Sequence, residues 1–400
     1  MKEKAEKHLD TLCVQIPGRC VGTRGNQKAT AYFARSFESF GFDVETPEFD
    51  CFDWVHTKTR LYIKDTPFEI FPSPYTMACR VKAPLCLVTT EEELQTVEGQ
   101  GKILLLKGDL AREPLMPKNF PFYNPDEHKR IINLLETRGF KAVLAATQRS
   151  PEMAGGVYPF PLIEDGDFML PSAYMTAEEG EKLALYEGQT VTLEIDARRY
   201  PAKGCNVLAR KGGKKSDKRV VVCAHIDSKQ GTPGAIDNAT GVTVLLLLGE
   251  LLAGYQPDLQ VEIVALNGED YYSNPGELLY LENNQGRFSE IVLGINIDGA
   301  GYHRGNTAVS MYQCSDLIKT CVQSTMLDKE GMIQGEPWYQ GDHGLFLMNE
   351  RPAVAITSEC MNDLLEIAHT PKDNLAVVDT ARLVNLARAL QDLLVALSSK

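Results

Sequence analysis

Hydrophobic and polar positions along this chain follow three successive patterns. From residue 1 to about 55 the spacing is first helical. Ala29, Phe33, Phe37 and Phe40 share one helix face, and Gly41 is placed to end that helix. The charged start, MKEKAEKHLDTL, reads as an earlier helix, and the glycine- and arginine-rich loop PGRCVGTRGN separates the two. Residues 42–49 then alternate as a strand does. From about 56 to 200, short apolar runs at 60–64, 102–107, 142–146 and 191–195 predict strands joined by proline-rich loops. Two helices interrupt them. One covers about 126–138 on Ile131, Ile132, Leu134 and Leu135, and one starts at Thr176, whose spacing to Glu179 makes a capping box. From about 204 onward, strand and helix alternate. RVVVCAHID, LQVEIVALN, EIVLGINID and residues 353–357 read as strands; the apolar stretch after Asn238 and the tail after Asp379 read as helices.

Continuous apolar strands alternating with helices predict an α/β fold, a three-layer sandwich around a mostly parallel mixed sheet buried on both faces. Residues 1–55 and 201–400 are expected to form that domain, and 56–200 an inserted, smaller α+β or β-rich one. The chain's 400 residues, 44% of them hydrophobic, are ample for both. A formal net charge of -13, scattered over the sequence, makes nucleic acid and anionic membrane surface poor partners. No segment has the apolar length to cross a bilayer, and the start lacks a signal-like apolar stretch. A cytoplasmic location is therefore expected. The ten dispersed cysteines, with no C-x-x-C pair, are expected to be reduced thiols.

Polar clusters follow the predicted strands. The strand at 219–224 runs into His225 and Asp227, that at 260–266 into Glu269 and Asp270, and that at 291–297 into Asp298; Asp237 sits just before a helix in GAIDNATG. A parallel sheet places its site at these carboxyl ends. Acidic and imidazole groups gathered in one crevice repel one another without a cation, and a pair of divalent ions resolves this. Imidazole nitrogen with carboxylate oxygen suits zinc, with cobalt or manganese as weaker candidates. One carboxylate of the Glu269-Asp270 pair can bind metal while the other takes a proton from an activated water.

In its ordered motifs the chain resembles the di-zinc exopeptidase family of bacterial leucyl aminopeptidases, aminopeptidase Y and glutamate carboxypeptidase. HIDSKQGTPGAIDNATGV resembles that family's H-x-D…G-A-x-D-N-x-[ST]-G signature, and NGED, NID, GDHGLF…RPA and HTPKD come after it in the family's order. The resemblance covers about residues 1–55 and 200–400 and implies a zinc-exopeptidase fold acting on peptide substrates. It implies that Asp237 bridges two zinc ions, that His225 and Asp298 complete one site, and that Asp270 and His369 complete the other. Asp227 would orient His225, and Glu269 would be the general base. His343 is a candidate for lining the substrate pocket. The family commonly has Glu-Glu where this chain has Glu269-Asp270; aspartate is one methylene shorter, so looser holding of that metal is expected. The region 56–200 is similar to the protease-associated module that several members carry before the H-x-D strand.

Each residue also has a plainer reading. His225 with Asp227 is a polar pair at a strand end, Asp237 an N-cap, Glu269-Asp270 a solvated turn, Asp298 the start of a glycine turn, and His369 a loop histidine. Tyr271, Tyr272 and Trp338 are expected in the core, and His8, His56, His128 and His303 at structural or surface positions. Among functions, a metallo-aminopeptidase leads. A glutaminyl cyclase-like acyltransferase with one zinc shares the HxDSK stretch, a carboxypeptidase or dipeptidase shares the fold, and a metal-free receptor or scaffold requires a broken ligand set. Oligomeric state leaves no mark on the sequence.

Overall fold

The computed structural model describes residues 1–16, 18–148, 161–213, 217–256 and 258–399. Pro17 of the PGRCVGTRGN loop lies outside them. The chain divides into two compact units, Met1–Cys51 with Ala202–Lys400, and Phe52–Pro201. Both divisions fall inside 16-residue strands, Glu48–Ile63 and Thr190–Cys205. The short strands expected at 60–64 and 191–195 are segments of these. Their mixed burial hides the continuity from an apolar-run search.

In the first unit, helix α1 (Lys2–Asp10) precedes α2 (Arg24–Ser39), whose first turn is capped by Thr23 accepting from the Asn26 amide at 3.1 Å. Gly41 comes next at φ +76°, the left-handed conformation that glycine adopts without strain. The expected strand over 42–49 is broken. Only β1 (Asp43–Glu45) pairs in the first unit's sheet before Pro47, which has no amide to give; its carbonyl accepts from Asn206 instead.

The sheet then adds β2 (Val207–Lys211), β3 (Arg219–His225), β4 (Gln260–Leu266), β5 (Ile291–Ile297), β6 (Thr307–Tyr312), β7 (Met332–Gln334) and β8 (Ala353–Ser358), in the order β1-β2-β4-β3-β5-β8-β6-β7. The strands β4, β3, β5 and β8 run parallel, with antiparallel partners on either side. Every residue of β3 is buried, as a strand covered on both faces requires. Helix α3 (Thr240–Leu251) is buried without interruption from Thr240 to Gly249, and it packs on α1, α2, β3 and the C-terminal helix. Helix α4 (Pro275–Asn283) comes after β4. The C-terminal helix α5 (Thr380–Ser398) starts where the sequence predicts, with Asp379 accepting from Ala381 N at 2.9 Å. A Cβ on Gly294 of β5 would stand 2.2 Å from the Phe346 ring, so glycine lets that ring lie against the sheet.

The second unit holds an eight-stranded mixed sheet, in the order Thr66–Phe68, Glu48–Ile63, Thr190–Cys205, Cys79–Val88, Ile103–Leu106, Ala142–Thr147, Ser172–Thr176 and Phe71–Pro72. Helix Asp126–Thr137 buries Ile131, Ile132 and Leu135. Thr176 caps the helix Ala177–Ala184 by accepting from Glu179 N at 3.1 Å. The reciprocal half of the expected capping box is replaced: the Glu179 carboxylate accepts from Glu69 N at 3.2 Å and pairs with Lys182. Among the described residues no disulfide links the cysteines. Among the described residues, no helix is long and apolar enough to cross a membrane.

His8 of α1 lies 2.6 Å from the Tyr32 hydroxyl, and burial lowers its pKa from 6.5 to about 4 against the pull of Glu250. The unfolded chain therefore binds this proton more readily than the fold does. His8's contribution is present above about pH 6.5 and lost as pH falls towards about 4. Relative to His8→Gln, the wild-type protein should lose on the order of 2 kcal/mol between pH 7 and 4.5, measured by urea unfolding.

Candidate metal centre

The strands β4, β3 and β5 are neighbours with parallel ends, and the residues at and just past those ends carry chemistry. His225 closes β3, Asn267 to Asp270 leave β4, and Asp298 leaves β5. Asp237 comes from the turn before α3 and His369 from the loop before α5. The structure brings all five expected ligand residues together. His225 Nε2 stands 3.1 Å from Asp237 Oδ1 and 3.6 Å from Asp298 Oδ1. His369 Nε2 stands 3.0 Å from Asp237 Oδ2 and 3.2 Å from Asp270 Oδ1. Asp237 thus turns one oxygen to each imidazole. Asp270 reaches His369 despite its shorter side chain.

These donors fit divalent cations. His225, Asp237 and Asp270 each offer a ligand atom within 4.8 Å of the others. Both nitrogens of buried His225 and Asp270 Oδ2 have no hydrogen-bond partner among the described residues. Buried polar atoms left open are costly. His225 Nε2 and His369 Nε2, with the carboxylates of Asp237, Asp270 and Asp298 beside them, make the nitrogen and oxygen set that zinc prefers.

Neighbouring groups fix each donor. Asp227, fully buried, accepts from Gly268 N at 2.9 Å and Asp270 N at 3.0 Å, with Oδ1 3.7 Å from His225 Nδ1. It holds the Glu269-Asp270 loop beside the imidazole. Asp237 is not the helix cap that its place before α3 allows; that task falls to Asn238. Asn238 Oδ1 accepts from Gly241 N at 3.0 Å, and its amide donates to Ile297 O at 2.8 Å, which pins the end of β5 next to Asp298. A Cβ on Gly241 would meet Asn238 Oδ1 at 2.4 Å and Ile297 O at 2.6 Å, which explains the glycine of the motif. Asp373 accepts from Ile236 N at 2.6 Å and Asp237 N at 3.1 Å. Arg19, 1% exposed, donates to the carbonyls of Leu12, Ile226, Pro233 and Gly234 at 2.7–3.0 Å. His369 holds φ +61°, stabilised by a turn in which Thr370 Oγ1 donates to Ile367 O at 2.6 Å.

The electrostatics show a cluster short of positive charge. Burial works against charge on His225, yet Asp227, Asp237 and Asp298 raise its pKa well above 6.5. Burial likewise opposes charge on His369, and Asp270 and Asp237 outweigh it. Asp237, although buried, is held well below the usual carboxylate range by the two histidines. Burial pushes Glu269 upward; His225 opposes this, while Asp270, Asp298 and Asp342 reinforce it. Burial and the charges of neighbouring acids hold Asp342 at about 7.

His343 does not stand among the five. Fully buried, it lies between the Tyr312 and Trp338 rings, with Nε2 2.8 Å from Trp338 O. Tyr271 is buried against Tyr272, ring centroids 4.7 Å apart. His56, His128 and His303 make local contacts to Thr59, Met116 N and Val377 O. Arg19, Asn238 and Asp373 received no role from the sequence, though each sits inside a motif. Their closeness in the chain to a ligand was the available signal for Asn238 and Asp373. Nothing in the sequence marks an arginine for burial, a rare fate for that residue.

The family model described as "Peptidase family M28" matches residues 206–394. Over 241 residues the chain is 25% identical to "Probable lipoprotein aminopeptidase LpqL" of Mycobacterium tuberculosis, a match covering 57% of this chain and 44% of that protein. It is 21% identical over 309 residues to "Aminopeptidase YwaD" of Bacillus subtilis, covering 74% and 62%. The matches thus span less than two thirds of either relative. Among solved structures, an aminopeptidase from Aneurinibacillus sp. strain AM-1 superposes with a TM-score of 0.78 at 21% identity, covering 98% of this chain and 93% of that one. BSAP, a zinc aminopeptidase from Bacillus subtilis, gives 0.75 at 19%, covering 98% and 94%. These likenesses show that the chain shares the fold of those two proteins.

A cation bound only by the folded cluster must stabilise the fold. Zinc added to chelator-stripped protein at about 100 times its Kd should raise the unfolding free energy by about 2.7 kcal/mol. Asp237→Asn should lose most of that gain in a thermal-shift titration.

Proposed function

We propose that this chain is a metallo-aminopeptidase that hydrolyses peptide bonds with two zinc ions. The carrying observation is the Asp237 carboxylate, one oxygen 3.1 Å from His225 Nε2 and the other 3.0 Å from His369 Nε2. His225, Asp298 and Asp237 would hold one ion, and His369, Asp270 and Asp237 the other; cobalt or manganese suits the same donors less well. Bound there, the ions supply Lewis-acid polarisation of the scissile carbonyl and a water whose pKa drops from 15.7 towards about 7.

The chain's own groups do the rest. Glu269 receives the proton of the attacking water and returns it to the leaving amine. Asp227 keeps His225 and the Glu269-Asp270 loop in register. His343, buried beneath Trp338, acts on a substrate pocket through that indole. Phe52–Pro201 serves as a protease-associated type of module, in a cytoplasmic enzyme. The names of the relatives support an amino-terminal preference.

Aminoacyl p-nitroanilides should be cleaved by the zinc-loaded protein and not after chelation, and N-acetylated analogues should resist. Cyclisation of an amino-terminal glutamine peptide without cleavage would reverse the assignment in favour of the acyltransferase. Glu269→Gln should lower kcat about 10²–10⁴-fold while metal content stays at the wild-type level. Near-normal turnover in that variant would take Glu269 out of the base role.

A further inference from the structure

We infer that Asp373 is a positioning residue of the metal centre, the group that fixes the backbone of Asp237 to the loop of His369 so that one carboxylate meets both imidazoles. The inference rests on the proposal that Asp237 bridges two ions. Asp373 is 0% exposed and lies four positions after His369. Its Oδ1 accepts from Ile236 N at 2.6 Å and its Oδ2 from Asp237 N at 3.1 Å. Its own carbonyl accepts from Ala235 N at 3.4 Å, and Thr232 Oγ1 donates to Thr370 O at 2.9 Å. Four hydrogen bonds therefore join the stretch 232–237 to the stretch 370–373. Two of them end on the two oxygens of a single side chain.

The opposite side of the same stretch is held by Arg19, whose guanidinium donates to Pro233 O at 2.9 Å and Gly234 O at 2.7 Å. Gripped from both sides, Asp237 has no freedom to swing towards one imidazole at the expense of the other. His369 needs the same anchor, because φ +61° is a conformation that a non-glycine residue keeps only where its surroundings impose it. The turn that imposes it closes on Asp373, whose amide donates to Thr370 O at 3.1 Å. One carboxylate thus sets the backbone of the bridging residue and closes the turn that presents its partner histidine. Glutamine or asparagine cannot replace it: an amide offers one acceptor oxygen and turns an NH₂ towards the second backbone N–H.

The test is Asp373→Asn, read by zinc stoichiometry and affinity in chelator competition beside the melting temperature of the metal-free protein. Affinity for both ions should fall on the order of 10–100-fold, as it does when a group that orients a ligand is lost. The metal-free melting temperature should move by only about 2–4 °C. Wild-type affinity in the variant would overturn the inference, and so would a metal-free melting temperature lowered by more than about 10 °C, which marks a merely structural role. A wild-type protein that binds no zinc would sink the two-zinc reading and this inference with it. A wild-type protein that binds two ions beside a variant that does so equally well would sink the inference alone.

Discussion

The carboxylate of Asp237 faces His225 with one oxygen and His369 with the other, and the surrounding loops are built to keep it between them. Ionised groups taken from water cost several kcal/mol each unless opposite charge and good geometry return it. Here the chain returns only part of it: beside the two imidazoles stands Lys229, its Nζ 3.9 Å from Asp270 Oδ1. Asp227, Asp237, Asp270, Asp298 and Glu269 meet two imidazoles in one crevice, and the histidines are driven towards protonation to compensate. A crevice with that deficit attracts cations by the same electrostatics that make it costly to fold.

The sheet makes the convergence possible. Strands β3, β4 and β5 are apolar and buried, so their positions are set by hydrogen-bond ladders and packing, and not by the polar groups at their ends. Successive parallel strands lie about 4.8 Å apart. Residues at and just past their carboxyl ends therefore gather at one edge of the sheet. The remaining two members of the cluster, Asp237 and His369, come from loops, which need separate fastening. Asp373 and Arg19 provide it for Asp237, and the Thr370 turn provides it for His369.

The division of labour within GAIDNATG illustrates how a short motif serves two ends. Asp237 is left free to face the crevice because Asn238 takes over the helix start and also ties down Ile297. Glycine at 241 is required by that close approach, since any side chain would strike the asparagine and the strand carbonyl. Asp270 is fastened in a similar way. Asp227 holds its backbone amide, and the shorter side chain still comes to 3.2 Å from His369.

The sequence alone determined the alternation of buried strands and helices, the ends of β3, β4 and β5, the helix starting after Asp379, and the residues gathered at the crevice. These are legible because they depend on local periodicity and on residue types that few other environments tolerate. It did not show the full length of Glu48–Ile63 and Thr190–Cys205, where mixed burial blurs the period, nor the break at Pro47 between two predicted halves of a strand. Nor did it separate Asp237 from Asn238 as cap, or mark Arg19 and Asp373, because hydrogen bonds between residues up to 215 positions apart leave no spacing to read. Sequence chose which groups carry the charge; only tertiary structure decided which oxygen faces which imidazole, since that is fixed by contacts between loops distant along the chain.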